Sequence, residues 1–240
     1  MSKLQRTFYG IGVGPGDPEL LTLKGARILQ QVPVIFCPEA RSDSGSHAFE
    51  VVKKILNPAW QKVEFLSFPM KREPEVLEKV WMDAVEKIYH VLSKGSDAAF
   101  LTLGDPLLYS TFGYVLGRMQ KQHPDVTCKI IPGVSSITAS AAAAQVPLAR
   151  TGGRVLILPA TYRMDEIREA LEKYETVVLI KVHRVLGEVI ELLREMGMMD
   201  RAVLVSRCGT PEEKIYRDLS AVNPDQVDYL STLIVTSQHE

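Results

Sequence analysis

The sequence is poor in cysteine: among its 240 residues only Cys37, Cys128 and Cys208 occur, widely spaced and odd in number. This excludes a disulfide framework, and the spacing carries no zinc pattern, so a reducing cytoplasm is the simpler expectation. An excess of charge of one sign is missing too, with 28 basic residues against 29 acidic ones. No polyanion partner such as nucleic acid is therefore expected, although a local basic pocket for a small anion is compatible with that balance. No apolar run approaches the ~20 residues that cross a bilayer, and the first residues lack the apolar core of a signal peptide. Low-complexity segments and internal repeats are absent as well. A soluble intracellular chain, long enough for two domains, is what these absences leave.

What is present is organised around FLTLGDPLLYSTFGY, residues 100–114. The apolar run Ala98–Leu103 predicts a buried strand that must stop at Pro106, which has no amide proton for a ladder. Gly104 lets the backbone approach a neighbour closely, and Asp105 puts a carboxylate at the strand's carboxyl end, the edge where open parallel sheets bind ligands. Ser110, Thr111 and Gly113 then open a helix. An ordinary strand-turn-helix with a capping Asp would look the same, but two further stretches of this kind occur. Thr7–Val13 predicts a strand running into Gly12-Val13-Gly14-Pro15-Gly16-Asp17-Pro18. It approaches a dinucleotide fingerprint and fails it: Gly10 and Gly12 have no third glycine in place, and the prolines remove amides that a pyrophosphate needs. Val126–Ile131 predicts a strand ending in Pro132-Gly133-Val134-Ser135-Ser136, before an alanine-rich helix through Ala144.

Around these, Thr22 is placed to cap a helix from Leu23 to about Gln31. A strand over Val32–Cys37 is closed by Pro38, and the polar loop Arg41–Ser46 leads to a helix over His47–Leu56 and a strand over Val63–Leu66. Leu77, Val80, Trp81, Ala84, Val85, Ile88, Val91 and Leu92 line one face of a long helix opened by Pro74 and left at Gly95. From Gly152 the pattern restarts, with strands at Val155–Leu158, Thr176–Ile180 and Ala202–Val205 and helices at Asp165–Lys173 and Val185–Met196. No helix long enough for a crossover separates Lys214–Asp218 from Tyr229–Thr236, so antiparallel pairing is expected there. The expected fold is two α/β lobes. Residues 1–132 carry a five-stranded parallel sheet and residues 133–240 a mixed sheet. The three loops share one sheet edge, which predicts a small-molecule cleft between the lobes. No metal cluster, Ser-His-Asp order or phosphate loop is present.

GVGPGDPELLTLKG, LTLGDPLLYSTFGYV and PGVSSITASAAAAQVPLA, in that order and spacing, resemble the successive motifs of the tetrapyrrole (corrin and porphyrin) methylase family over nearly the whole chain. The resemblance implies two α/β lobes, a tetrapyrrole substrate, a homodimer, and S-adenosylmethionine as cofactor, released as S-adenosylhomocysteine. The GDP-xx-YST and PGVSS forms are most similar to members that methylate the meso carbon 20 of precorrin-2 or cobalt-factor II in cobalamin biosynthesis. Uroporphyrinogen-III methylases carry Gly-Gly-Asp-Pro-Phe where this chain has Leu103-Gly104-Asp105-Pro106-Leu107. By motif, Pro15 is implied to wall the cofactor and Leu103, Gly104, Asp105 and Leu108 to hold its methionine and ribose parts, with Ser135 and Ser136 beside them. Lys181, Val182, Arg207 and Cys208 are the implied contacts from the second lobe, by a looser match. Asp105 and Tyr109 are the candidate proton acceptors after methyl transfer. A substrate rich in carboxylates makes Arg41, Arg150, Arg154, Lys181, His183, Arg184 and Arg207 candidates to receive them, although for any one of these a solvated surface charge is the simpler role. A methylase acting elsewhere on the ring, or a tetrapyrrole binder without catalysis, is the alternative.

Overall fold

The computed structural model describes residues 6–39, 45–68, 73–160 and 163–236. Arg41, with most of its loop, lies outside the described residues. The chain divides into two compact units, Met1–Ser135 and Ser136–Glu240.

The first unit is built on five parallel strands, β1 (Thr7–Gly12), β2 (Val34–Glu39), β3 (Lys62–Ser67), β4 (Ala98–Thr102) and β5 (Thr127–Ile131), in the order β3-β2-β4-β1-β5. Every residue of β4 is buried, as a strand covered on both faces requires. Its alternate residues feed two cores. Ala98 and Phe100 join Phe8 and Phe36 under α3 (Pro74–Ser93) and α4 (Thr111–Gln122). Ala99 and Leu101 join Ile11, Ile35 and Cys37 under α1 (Leu23–Leu29) and α2 (His47–Val52). From β1 the chain leaves over one face toward β2, and from β4 over the other toward β5. Because β1 and β4 are neighbours, their carboxyl ends form the switch point at which open α/β sheets hold ligands.

Gly10 and Phe112 show how tightly α4 is seated. A Cβ on Gly10 would overlap the Cζ edge of the Phe112 ring, and that fully buried ring is held between Phe8 and Phe100 at centroid distances of 5.7 and 5.8 Å. Gly10 is therefore a packing residue, which accounts for a glycine inside β1 beside a loop that fails as a phosphate motif. Gly10→Ala is expected to destabilise the protein by about 1–3 kcal/mol through overpacking, lowering the urea midpoint with an unchanged slope. An unshifted midpoint would show that the ring can move aside.

The strand expected to close at Pro38 instead runs on to Glu39. Pro38 lies past the last β2–β4 pair, Phe36↔Phe100, and is paired only on the β3 side, with Leu66. Its missing N–H thus breaks no ladder toward β4.

The second unit opens with α5 (Ser136–Ala144), which lies against β8 and β10 of a five-stranded mixed sheet. That sheet comprises β6 (Val155–Pro159), β7 (Thr176–Ile180), β8 (Ala202–Ser206), β9 (Lys214–Tyr216) and β10 (Ser231–Thr236), ordered β6-β7-β10-β8-β9. Only β6 and β7 are parallel; β10 is antiparallel to both β7 and β8, and β9 is antiparallel to β8. The last two strands therefore do not pair with each other, and β8 stands between them. All six residues of β10 are buried, whereas Lys214 and Ile215 of β9 are exposed. Burial sends the first to the centre of the sheet and leaves the second at its edge. The opposite face is covered by α6 (Met164–Lys173) and α7 (Leu186–Glu195), through Ile167, Leu171, Val189 and Leu193. Among the described residues no helix is long and apolar enough to cross a membrane.

Candidate active site

At the carboxyl edge of the first sheet the backbones of three loops touch. Val13 N–H donates to the Thr102 carbonyl at 2.9 Å, and Gly104 N–H donates to the Gly14 carbonyl at 2.7 Å. A Cβ on Gly12 would stand 2.6 Å from both the Gly104 carbonyl oxygen and the Gly133 nitrogen. One on Gly133 would stand 2.8 Å from the Gly12 backbone and closer still to the Gly104 oxygen. Gly104 itself takes a φ of 74°, which residues with a side chain rarely adopt. Asp105 ties the arrangement together: Oδ1 accepts the Leu107 N–H at 2.9 Å and Oδ2 accepts the Gly133 N–H at 3.1 Å. One carboxylate thus bridges the loops after β4 and β5.

Above this floor, Leu107, Leu108 and Tyr109 are consecutive and exposed at 62%, 38% and 48%. Three adjacent large side chains facing water at a strand end form an apolar strip of the kind that marks a binding surface. Tyr109 has a φ of 51°, an outlier for a bulky residue and a common signature of functional loops. Its neighbour Ser110 holds it there by capping α4, accepting the Phe112 N–H at 3.0 Å. Pro15, buried, follows the Gly14 that bonds Gly104, while Ser135 stands two residues after Gly133 and Ser136 opens α5. Gly12 and Gly133 are not among the site residues expected from the motifs. The recurrence of a glycine at the same place in each loop was the available signal.

Within the second unit, Lys181 and Arg207 follow the ends of β7 and β8, and both are left-handed, with φ of 59° and 53°. Burial pushes the half-buried Lys181 ammonium below its ordinary pKa. Arg207 pairs with Asp228 at 2.9 Å and Glu212 at 3.8 Å. The Val182 side chain belongs to the core, leaving its backbone for contacts. His183 meets the Tyr229 ring edge-on at 5.1 Å, and Arg184 is exposed. No sequence motif had pointed to Tyr229. Arg154, by contrast, precedes β6 at the opposite edge of the same sheet and is engaged with Glu175 and the Lys173 carbonyl. The structure brings Lys181, His183, Arg184 and Arg207 to one edge and leaves Arg154 at the other.

Residues 7–221 match the tetrapyrrole (corrin/porphyrin) methylases. The chain belongs to that family. It is 34% identical, over 98% of both chains, to a probable cobalt-precorrin-2 C(20)-methyltransferase of Methanocaldococcus jannaschii. It is 32% identical, over 97% of both chains, to a cobalt-precorrin-2 C(20)-methyltransferase of Salmonella typhimurium. A likeness of fold extends to the structure of uroporphyrin-III C-methyl transferase from Thermus thermophilus complexed with S-adenyl homocysteine. It covers 96% of this chain and 97% of that one, with a TM-score of 0.66 at 21% identity.

The loop cluster of this tetrapyrrole methylase suits a small ligand with an ammonium or hydroxyl group on its own chemistry. Each Asp105 oxygen keeps a second lone pair beyond its backbone bond, suited to an ammonium or hydroxyl, and the Leu107–Tyr109 strip offers apolar surface beside it. Cys208 is not an activated nucleophile. Burial pushes its thiol up to about 11 and that of Cys37 up to about 12, so both are neutral near pH 7. In the unfolded chain these thiols ionise near pH 9, while the folded chain keeps their protons. Stability is therefore expected to fall as pH rises from about 9 toward 11–12. Urea melts across that range test this, and a double Cys37→Ala, Cys208→Ala variant with the same alkaline loss would trace it to other groups.

Proposed function

We propose that this methylase transfers the methyl group of S-adenosylmethionine to the meso carbon 20 of precorrin-2 or its cobalt-bearing counterpart, in cobalamin biosynthesis. The observation that carries this is the near end-to-end similarity to two relatives named for that activity. The loop cluster at the switch point supports it from physics. The cofactor supplies an activated methyl group on a good leaving group, so the work left to the protein is positioning, which can lower a barrier by roughly 7–11 kcal/mol.

In this proposal Pro15, Leu103, Gly104, Asp105, Leu108, Ser135 and Ser136 hold the cofactor, joined by Lys181, Arg207, Cys208 and the backbone of Val182. His183 and Arg184 receive ring carboxylates, with Arg41 as a further candidate, whereas Arg154 stands at the opposite edge of the sheet and is held by Glu175. Asp105 and Tyr109 are the candidate proton acceptors after transfer, and the two backbone N–H groups on Asp105 make holding the loops its first role. The test supplies metal-free and cobalt-loaded dimethylated rings with a carbon-13 methyl cofactor. One added methyl, with its NMR signal on the meso bridge, is the expected product; a signal on a pyrrole-ring carbon would assign another position. Calorimetry showing no cofactor binding would replace the enzyme with a tetrapyrrole carrier.

The family resemblance and the cysteine usage support a cytoplasmic homodimer. Sedimentation at twice 26.7 kDa is expected, and a monomer at micromolar concentration would defeat the dimer.

A further inference from the structure

A cavity of about 510 Å³ opens in the second unit, away from the edge that carries Lys181 and Arg207. Its wall includes Thr176, which begins β7, and Thr236, which ends β10; the two are directly paired across the strands. Lys181 follows the other end of β7. At ~3.3 Å per residue, a five-residue strand separates the two edges by roughly 15 Å. The remaining walls are the segment 145–153, between α5 and β6, Glu175, just before β7, and Arg217, just past β9.

Arg217 donates one N–H to the Ala144 carbonyl at 2.6 Å, which anchors its guanidinium at the end of α5. A guanidinium has five N–H groups in a planar fork, so among the described residues most of its donor capacity is left over. Arg150 is a second guanidinium in the lining. Glu175 is the acid there, and Arg154 holds both of its oxygens at 3.2 Å, with the Arg154 backbone N–H on one of them at 2.9 Å. The acid is engaged by a partner outside the cavity lining.

We propose that this cavity binds a small organic carboxylate through the Arg217 fork, with Thr151, Thr176 and Thr236 as the polar groups beside it. An Arg fork recognises a carboxylate by two parallel charge-assisted hydrogen bonds, a geometry that a point charge cannot reproduce. The volume accepts a free diacid, or one acetate or propionate arm of a larger ring. The site is separate from the methyl-transfer edge and does not depend on the function proposed for it.

Succinate is the probe, titrated into the full chain at constant ionic strength and followed by backbone amide NMR. Saturable shifts confined to residues 145–153, Thr176 and Thr236 are expected, with binding about tenfold weaker in Arg217→Gln. Should that variant lose its fold with the Ala144 contact, Arg217→Lys keeps the charge, loses the fork and is expected to bind several-fold more weakly. Displacement of succinate by uroporphyrin would identify the ligand as a ring side chain, and failure to displace it a free acid; either outcome keeps the site. Shifts that never saturate, that chloride reproduces, or that persist unchanged in folded Arg217 variants overturn it. Methyl transfer is expected to be unchanged in Arg217→Gln.

Discussion

Gly133→Ala is expected to lose most cofactor affinity and a large part of its stability from the addition of one methyl group. The new Cβ would be 2.8 Å from the Gly12 Cα and carbonyl carbon, and nearer still to the Gly104 carbonyl oxygen. All of these are backbone atoms at the ends of β1 and β4, so no side-chain rotation relieves the clash. One strand end has to move, and the Gly133 N–H then leaves Asp105 Oδ2. Overpacking of this kind costs about 1–3 kcal/mol, occasionally more, and a site displaced by an ångström loses about 100-fold in rate. Gly113→Ala is the matched control. Nothing lies within 4 Å of its added Cβ, and alanine is the better helix former by about 1 kcal/mol. Urea melts and calorimetry with S-adenosylmethionine read both variants. A folded Gly133→Ala protein with the midpoint and affinity of the parent would mean that the three loops do not need to touch.

Asp105→Asn is expected to cost about 100-fold in kcat/KM, by misplacing the loops rather than by removing a base. Both carboxylate oxygens accept backbone N–H groups, from Leu107 and from Gly133. An amide has one oxygen, so its NH2 must face one of those donors, and the unmet group costs about 1–3 kcal/mol. The loop after β4 then loses its tie to the loop after β5. The pH profile separates the alternatives. If Asp105 only positions the loops, the residual activity keeps the parent's pH dependence and the KM for cofactor rises. A variant that binds cofactor normally but loses one limb of the profile would make Asp105 the proton acceptor and contradict the geometry.

Much of the local structure was legible because burial repeats at short range. Thr176–Ile180 is a strand with the bounds that its apolar run predicts. The helix opened by Pro74 ends at Ser93, just before Gly95, whose φ of 97° takes the chain out. Thr22 and Ser110 cap their helices through hydroxyl oxygens that accept the N–H groups of Gly25 and Phe112. The candidate edge was legible for a related reason. Gly and Pro must follow a strand where the backbone turns or closes on a neighbour, and three such breaks in one parallel sheet share its carboxyl end.

By itself, then, the sequence determined which segments are strands and helices, roughly where they lie, and which loops meet at the ligand edge, while several ends, such as that of β2 beyond Pro38, differ from the expected ones. Those properties depend on neighbours within a few residues, through hydrogen-bond periodicity, capping and the angles that Gly and Pro allow. The tertiary structure alone decided that β10 enters between β7 and β8, that Phe112 fills the space over Gly10, and that Asp105 is bound to Gly133 across 28 residues. It also decided that Arg154 stands at the far edge from Lys181. Strand order and cross-loop contacts follow from which distant surfaces bury the most apolar area together without stranding a polar group, and no spacing along the chain encodes that choice.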